Sequence, residues 1–245
     1  MEKIIKKISH FLSLAVIFCF SAVIYFDYKG FVYENGTLTL QRQIAAAGEL
    51  NMSVLDDNLA INAPTQNALG SSDAPLTMYE YSSFDCPHCA DFHLDMVPRL
   101  KEDYVDKNLL RIVFVSFPLS KISMNAALLS QCVTPDNYHS FVNEVFSRQF
   151  LWRWDKDSAY LIKIAEKFGI SHDEAEKCLK DDARAKTIIS DRQEAISRLK
   201  IQGTPAFYIT GKGRNEIIYG MPKYDKLKTY LDKRLGINED GTVNE

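Results

Sequence analysis

Hydrophobic and polar residues alternate along PLTMYEYSSF, residues 75–84, in the pattern that is typical of a β-strand. The segment LRIVFVSF, residues 110–117, is almost continuously apolar and rich in β-branched and aromatic residues, as expected of a strand buried on both faces. Between these strands, apolar residues recur at every fourth position: Phe92, Met96, Leu100 and Tyr104. The spacing predicts a helix that runs to about Asp106, with a kink at Pro98.

The segment 121–199 shows helical spacing and no convincing strand. Four helices are predicted in it, over SMNAALLSQC, NYHSFVNEVFSRQF, AYLIKIAEKFG and SHDEAEKCLK. Gly169 is a stop signal for the third helix, and Ser171 with Glu174 forms a capping box that starts the fourth. A polar amphipathic stretch follows, so we interpret the whole segment as a helical insertion.

Strands resume after the insertion at AFYIT and EIIYG, and PKYDKLKTYLDKRLG fits a final helix. The order is strand, helix, strand, helical insertion, strand, strand, helix, which is an α/β arrangement. We assign residues 71–120 and 200–236 to one domain, 121–199 to the insertion and 237–245 to a C-terminal tail. Residues 27–70, rich in Asn, Ala, Gly and Ser, are expected to be a linker with an optional short helix at LQRQIAAAGEL.

The composition of the 245 residues is that of a globular protein, with 46% hydrophobic and 25% charged residues. The formal net charge is −3 and the isoelectric point is near 6.0. Lysines and arginines are interspersed with acidic residues and do not cluster, so the sequence disfavours a nucleic-acid partner.

The first 26 residues differ from the rest of the chain. Lys3, Lys6 and Lys7 precede the apolar run FLSLAVIFCFSAVIYF, and a basic flank followed by an apolar run is typical of an export signal. Counted from Ile8, the uncharged run has 19 residues if His10 is taken as neutral, which is long for a cleaved signal and just enough to span a bilayer. A cleaved signal peptide and a retained membrane anchor both stay open, and the remainder is expected to lie outside the cytoplasm.

Beyond this segment the chain has four cysteines, an even number that favours disulfides in an oxidising compartment. Cys86 and Cys89 form a C-x-x-C at the start of a predicted helix, where unpaired N–H groups and a partial positive charge favour a thiolate on the first cysteine. Pro87 suits the first turn, and His88 can add positive charge or a hydrogen bond. The pattern predicts a redox pair in which Cys86 is the exposed attacking sulfur and Cys89 is the resolving one.

Two other uses of this cysteine pair stay open from the residues alone. A closed zinc site needs four ligands, and one C-x-x-C supplies two. Because His88 lies between the cysteines, it cannot easily share a tetrahedron with both, and a metal site is disfavoured. A purely structural disulfide is the second alternative. His93 is interpreted as a partly buried helix histidine and not as a catalyst.

FDCPHC on a strand-to-helix turn, the helical insertion and GTPAF before the third strand together resemble the thioredoxin superfamily. The Pro-His dipeptide and the long insertion are similar to the DsbA family of exported disulfide oxidases, over about residues 75–236. The resemblance implies a thioredoxin fold with an all-helical insertion between the strand 110–117 and the strand after Thr204 and Pro205. It also implies a cis-proline loop at these two residues, beside the redox disulfide. Without the resemblance, Gly203-Thr204-Pro205 would be an ordinary loop.

Glu80 lies six residues before Cys86, at the position of a buried acidic residue in that family. A carboxyl group there would handle the proton of Cys89, and its own ionisation would be opposed by desolvation. The alternative is an acid on an exposed face of the strand.

Cys132 and Cys178 lie on apolar faces of predicted helices. In an oxidising compartment we favour a structural disulfide between them, and two buried free thiols are the alternative. Closing a loop of 47 residues would stabilise the folded state by roughly 4 kcal/mol on the loop-entropy model. A further cysteine pair of this kind is similar to that of some alphaproteobacterial DsbA-like proteins, in which it is thought to modulate the redox site.

The leading hypothesis is an exported, periplasmic protein-disulfide oxidoreductase that introduces disulfide bonds into folding proteins and needs no bound cofactor or metal. Its partners would be cysteine-containing exported proteins, and the resemblance implies a DsbB-type membrane quinone reductase as the reoxidant. The alternatives are a disulfide isomerase or reductase of the same fold, a metal chaperone on a thioredoxin frame, and a redox-inert surface protein.

Overall fold

The computed structural model describes residues 31–34, 37–40, 50–56 and 68–238. The chain divides into two units, Met1–Glu49 and Leu50–Glu245. In the first unit, strands β1 (Phe31–Glu34) and β2 (Thr37–Leu40) pair antiparallel. The export segment predicted at 1–26 lies outside the described residues.

The second unit is built on a six-stranded sheet with the strand order β3, β8, β7, β5, β6, β4. Its strands are β3 (Met52–Val54), β4 (Ala68–Leu69), β5 (Leu76–Ser82), β6 (Leu110–Ser116), β7 (Ala206–Gly211) and β8 (Arg214–Tyr219). β5 and β6 pair parallel, and the other neighbours pair antiparallel. The predicted strands therefore form the centre of the sheet.

The edge strands β3 and β4 come from the segment 27–70, which the sequence analysis assigned to a linker. β3 has three exposed residues and β4 has two residues, so neither is long enough to show a period of two. Both are held by backbone hydrogen bonds to β8 and β6, which the side-chain pattern does not encode. The optional helix at LQRQIAAAGEL falls almost entirely outside the described residues.

The helix that follows β5, here α1, runs from Pro87 to Val105 without a break in helical structure. It consists of α-helical turns at Pro87–Asp91 and Val97–Leu100, each followed by a π-helical turn, Phe92–Met96 and Lys101–Val105. Pro98, at which a kink was predicted, has no N–H to donate, and it lies just after a π turn in which the Val97 N–H bonds the Phe92 carbonyl.

The remaining helices are α2 (Lys121–Ser130), α3 (Pro135–Ser147), α4 (Gln149–Trp152), α5 (Ala159–Lys167), α6 (His172–Leu179), α7 (Asp182–Leu199) and α8 (Tyr224–Leu235). Six of them lie inside 121–199, as predicted for the helical insertion. The capping box predicted at Ser171 and Glu174 is present, with the Ser171 N–H bonded to Glu174 Oε2 at 2.8 Å.

Buried side chains occupy both faces of the sheet. One cluster joins α1, α8 and the helices α2–α6 to the face of β5 that carries Leu76 and Met78. The other cluster lies under α7, where Ala195 and Leu199 pack against Tyr81 on the opposite face of β5. Because successive strand residues point to opposite faces, Glu80 shares the first face with Leu76 and Met78. The loop after β5 leads from the C-terminal end of that strand into α1, and the C-x-x-C spans the last residue of this loop and the first turn of α1.

Candidate active site

Cys86 is the residue that caps the N-terminus of α1. Its backbone is extended (φ −84°, ψ 119°), its N–H bonds the Ser83 carbonyl at 3.0 Å, and its own carbonyl accepts the N–H of Ala90 at 3.2 Å. Pro87 occupies the first turn, where a missing N–H leaves no gap in the helical hydrogen bonds. The Cys86 sulfur is thus held where the first free N–H groups of the helix point.

Cys86 and Cys89 are free thiols with different surroundings. The Cys86 S–H lies 3.4 Å from the carbonyl oxygen of Thr204, and only 8% of the residue is exposed. A hydrogen bond from Cys89 lowers the pKa of Cys86 to about 6, with smaller contributions from Thr204 and from the backbone N–H groups of Cys89 and His88, while burial acts in the opposite direction. Burial raises the pKa of Cys89, and the Cys86 sulfur and Glu80 raise it further. The thiolate is therefore favoured on Cys86 alone.

Cys86 was predicted to be the exposed member of the pair, and in the structure it is exposed over only 8% of its surface. The difference arises because the loop at Thr204 and the helical insertion both close over the turn, which the local sequence does not show. Cys89 is fully buried and Cys86 is the one that solvent reaches, so the predicted order of exposure between the two sulfurs is kept.

Glu80 is fully buried in β5, which excludes the alternative of an exposed strand face. Neither of its carboxyl oxygens has a hydrogen-bond partner among the described residues. Burial raises the pKa of Glu80 to about 8; Ser82 acts to lower it and Cys86 to raise it. Since Glu80 in turn raises the pKa of Cys89, the carboxyl and the buried sulfur interact electrostatically.

The two histidines of the motif have different positions. His88 is exposed, and its Nδ1 lies 3.6 Å from Asp91 on the next turn. His93 is buried between the rings of Phe114 and Phe146, at centroid distances of 4.9 and 5.1 Å, and burial lowers its pKa to about 4. His93 is thus a core residue that is more deeply buried than the sequence predicted.

Thr204 and Pro205 lie across from the cysteines, immediately before β7. The peptide bond between them is cis. The Thr204 carbonyl faces Cys86, and the Gly220 N–H at the end of β8 bonds the Pro205 carbonyl at 2.9 Å. The structure thus brings together Glu80, Cys86, Cys89 and this loop, which are separated by up to 125 positions in the sequence.

A serine cluster that the sequence analysis missed supports the loop before Cys86. The Ser83 hydroxyl is 2.7 Å from that of Ser123 and accepts the N–H of Leu119 at 3.1 Å, and the Phe84 N–H bonds Ser123 Oγ at 3.1 Å. Asp85 bonds Ser83 and also Ser120, which caps α2. A serine before an apolar helical run is a capping signal that could have located Ser120, but no local pattern indicates Ser123.

Gln149 is a second residue that the sequence analysis missed. Its side-chain amide donates to the carbonyls of Phe84, at 2.7 Å, and Cys86, at 2.9 Å. Gln149 is buried and belongs to α4, so the helical insertion contacts the redox turn directly.

Large apolar side chains are exposed on the segments that touch this turn. Phe150 is 82% exposed and Trp154 is 74% exposed, and both follow Gln149 closely in the chain. Leu119, whose N–H bonds Ser83, and Leu151 are about half exposed. Exposed apolar groups beside a reactive sulfur are suited to contact with an unfolded chain.

Cys132 and Cys178 form a disulfide, with their Cα atoms 6.5 Å apart. It joins the residue after the last turn of α2 to α6 within the helical insertion. Among the residues that the structure describes, no group of three or more His, Cys, Asp or Glu side chains is arranged to hold a metal ion. None of the helices in the described part of the chain is long and apolar enough to cross a membrane.

A free dithiol at a helix N-terminus, on a thioredoxin-like sheet, defines a site for thiol–disulfide exchange. A thioredoxin family model matches residues 62–233, and the chain belongs to the thioredoxin family. Among curated relatives, a putative protein-disulfide oxidoreductase of Rickettsia felis is 30% identical over 179 residues, which is 72% of this chain and 63% of the relative. A probable disulfide bond formation protein D of Bacillus cereus is 29% identical over 202 residues, 77% of this chain and 89% of the relative. The chain thus spans less than two thirds of the Rickettsia felis relative.

Two solved structures have the same fold. Alpha-DsbA1 of Wolbachia pipientis is 28% identical, with a TM-score of 0.64 over 72% of this chain and 94% of that one. BdbD of Bacillus subtilis, in its oxidised form, is 27% identical, with a TM-score of 0.59 over 72% of this chain and 98% of that one. The predicted resemblance to DsbA-like proteins and the predicted thioredoxin fold with a helical insertion are therefore confirmed. The predicted enzyme class, protein-disulfide oxidoreductase, agrees with the names of the relatives.

Proposed function

We propose that this chain is a thiol:disulfide oxidoreductase that acts as an oxidase on exported proteins through Cys86 and Cys89. The observation that carries the proposal is the asymmetry of the two sulfurs. Cys86 lies at the helix N-terminus with a pKa near 6, whereas Cys89 is fully buried with a raised pKa. A stabilised thiolate favours the reduced form of the protein, and its disulfide is therefore oxidising.

The exchange proceeds in two steps from the disulfide form. A substrate thiolate attacks Cys86 Sγ, the Cys86–Cys89 bond breaks, and Cys89 leaves with the electron pair while a mixed disulfide forms. A second substrate thiolate then attacks the substrate sulfur of that mixed disulfide, and Cys86 leaves as a stabilised thiolate. The substrate loses two electrons and gains a disulfide, and the enzyme disulfide gains both electrons and becomes the dithiol.

Glu80 would provide the proton that Cys89 takes up as it leaves. Its carboxyl group stays protonated up to a pH of about 8, because burial disfavours the charged form. Cys89 is buried as well, and its charge is influenced by Glu80. A protonated carboxyl group near the leaving sulfur would neutralise the developing thiolate without access to water.

The proposed partners are exported proteins with cysteines that are still folding. The basic and apolar pattern of residues 1–26 supports export to the periplasm, by a cleaved signal or a retained anchor. The exposed Phe150 and Trp154 would contact apolar segments of such chains. By analogy with the DsbA family, a DsbB-type membrane quinone reductase would reoxidise the dithiol. No bound cofactor takes part in either step.

Equilibration with glutathione tests the direction of the reaction. The fraction of oxidised enzyme is measured at a series of ratios of reduced to oxidised glutathione, in the wild type and in a Cys132→Ala/Cys178→Ala variant that leaves one redox pair. We expect a potential above about −180 mV, in the range of disulfide oxidases and isomerases. A value below about −230 mV, where thioredoxin-type reductases lie, would contradict the oxidase proposal.

A further inference from the structure

Gln149 makes two hydrogen bonds that bracket the residue before the reactive cysteine. Its Nε2 donates to the carbonyl of Phe84 at 2.7 Å and to that of Cys86 at 2.9 Å, one on each side of Asp85. These are the two N–H groups of one side-chain amide, and both are used. The amide therefore fixes two peptide groups in the turn at once.

Gln149 is itself held firmly in place. It begins α4 directly after Arg148, whose backbone leaves helical geometry (φ −105°, ψ 12°). At the other end of α4, the Trp152 indole N–H donates to the Val145 carbonyl at 2.7 Å, and Trp152 is fully buried. The rings of Phe84 and Phe146 pack at a centroid distance of 5.1 Å, so α3 touches the same turn.

The Phe84 carbonyl depends on this amide, whereas the Cys86 carbonyl also accepts the N–H of Ala90. A buried carbonyl without a donor costs about 1 to 3 kcal/mol, so a turn that lost Gln149 would move to find other partners. Such a movement would carry the Cys86 sulfur with it, since Cys86 lies inside the bracketed segment. Besides the hydrogen bond from Cys89, the side chain of Thr204 and the backbone N–H groups of Cys89 and His88 lower the pKa of that sulfur, and these contacts depend on where the sulfur lies.

We propose that Gln149 is a positioning residue of the redox site, which holds the backbone of Phe84 and Cys86 so that the Cys86 sulfur stays against the N-terminus of α1. The role rests on the proposed function only in that Cys86 is the reactive sulfur. Gln149 does not touch that sulfur; it acts through the peptide groups next to it. By this contact the helical insertion acts on a cysteine that lies outside the insertion, at the start of α1.

Thiolate titration of Gln149→Met tests the role. Methionine keeps the length and the unbranched shape of the side chain and removes both donors. With the absorbance of the thiolate at 240 nm as the readout, we expect the pKa of Cys86 to rise by about 0.5 to 1, and the oxidation equilibrium with glutathione to move about three- to tenfold towards the disulfide. The control is Gln193→Met, an exposed position on α7, which should leave both values unchanged.

Two results would overturn the positioning role. One is a Gln149→Met protein that unfolds more easily but titrates Cys86 at the wild-type pH, since this is the behaviour of a merely structural residue. The other result comes from the wild type and applies even if Gln149→Met does not fold. The NMR signals of the side-chain amide protons of Gln149 should shift with pH, with the same midpoint as the titration of Cys86. Amide signals that do not change with pH would contradict the proposal. If the wild type proves to be a reductase while the Cys86 titration still moves in Gln149→Met, the oxidase function fails and the positioning role stands.

Discussion

The two cysteine pairs of this chain differ in state although each contains one cysteine of the same burial. Cys86 and Cys89 are free thiols, while Cys132 and Cys178 are bonded across 46 positions of sequence. Cys86 and Cys178 have the same exposed fraction, 8%. Burial alone therefore does not distinguish a reactive sulfur from a structural one.

The position of each sulfur along its helix does distinguish them. Cys86 caps the N-terminus of α1, where free N–H groups and the helix dipole favour a negative charge. Cys178 is the last residue but one of α6, and Cys132 follows the last turn of α2. The helix dipole disfavours a thiolate at a C-terminus. The fold thus places one pair where a thiolate is stabilised and the other where a covalent bond between helices is the stable state.

The largest effect that would test this comparison is the loss of Cys86. Because Cys86 carries the sulfur that the substrate thiolate attacks in the proposed reaction, Cys86→Ala is expected to lower the rate of oxidation of a dithiol peptide by at least about a thousandfold. The rate is measured by the fluorescence change of the peptide on cyclisation. Cys132→Ala/Cys178→Ala is the matched control, and it should keep the rate within about threefold of the wild type. Equal losses in both variants would remove the functional distinction between the pairs.

A second test concerns the buried carboxyl group that accompanies only the reactive pair. Glu80 is protonated in the folded state up to a pH of about 8, whereas in the unfolded chain it ionises above its ordinary value of 4.5. At this group folding therefore binds a proton between these pH values, so Glu80 alone should lower the free energy of unfolding as the pH rises, by about 1.4 kcal/mol per pH unit and roughly 4 kcal/mol in all. The buried His93 and the partly buried His139, whose pKa values are lowered, act in the opposite direction below about pH 6.5, so the Glu80 contribution is the difference between the wild type and a Glu80 variant.

Urea unfolding of the oxidised protein from pH 5 to pH 8 measures this slope without the titration of Cys86. In Glu80→Gln, the contribution of Glu80 to the change of the free energy of unfolding with pH should be absent. Glu102→Gln, which changes an exposed acid on α1, should retain that contribution. A difference in free energy of unfolding between the wild type and Glu80→Gln that does not change over this range would show that Glu80 is already ionised in the fold.

A third test measures what the second disulfide contributes. Cys132→Ala/Cys178→Ala opens a closed loop in the helical insertion and should lower the free energy of unfolding by about 2 to 4 kcal/mol. Chemical denaturation of the oxidised protein gives the value. The variant Cys86→Ala/Cys89→Ala removes a disulfide that closes only a very short loop, so it should change the free energy of unfolding by much less. The comparison between the pairs would be reversed if the second variant were the less stable one.

The smallest expected effect concerns α2, which contacts both regions. Its first turn carries Ser123, bonded to Ser83 and Phe84 beside the reactive pair, and its end leads to Cys132. Ser123→Ala leaves the buried Phe84 N–H without its partner and removes one of the bonds of the Ser83 hydroxyl, so we expect about 1 kcal/mol less stability and a lower rate of exchange. Ser130→Ala is the control on the same helix, because its hydroxyl bonds only the Ala127 carbonyl of its own turn. Equal rates in both variants would mean that α2 does not support the redox turn.

Much of the fold and part of the site follow from the sequence by itself. The central strands, the helices of the insertion and the capping box at Ser171 were predicted correctly, since each depends on residues within a few positions of one another. The same holds for Cys86, Pro87 and Cys89 at a helix start. Local geometry is encoded in short patterns because side-chain period, caps and turns act over less than three helical turns.

Only the tertiary structure decided what surrounds the sulfurs. From the sequence, Glu80 is equally compatible with a buried and an exposed position. It is buried because α1 covers its face of β5 in the fold. Ser123 and Gln149 reach the redox turn from 39 to 65 positions away, through hydrogen bonds that leave no period or spacing in the chain. The edge strands β3 and β4 are likewise held by backbone groups alone. The sequence determined which residues can exchange electrons and placed Cys89 and the helix N–H groups beside Cys86, because these lie within three positions of it. The tertiary structure determined the burial of Cys86 and its contacts with Thr204 and Gln149, because those contacts join residues that are distant in the chain.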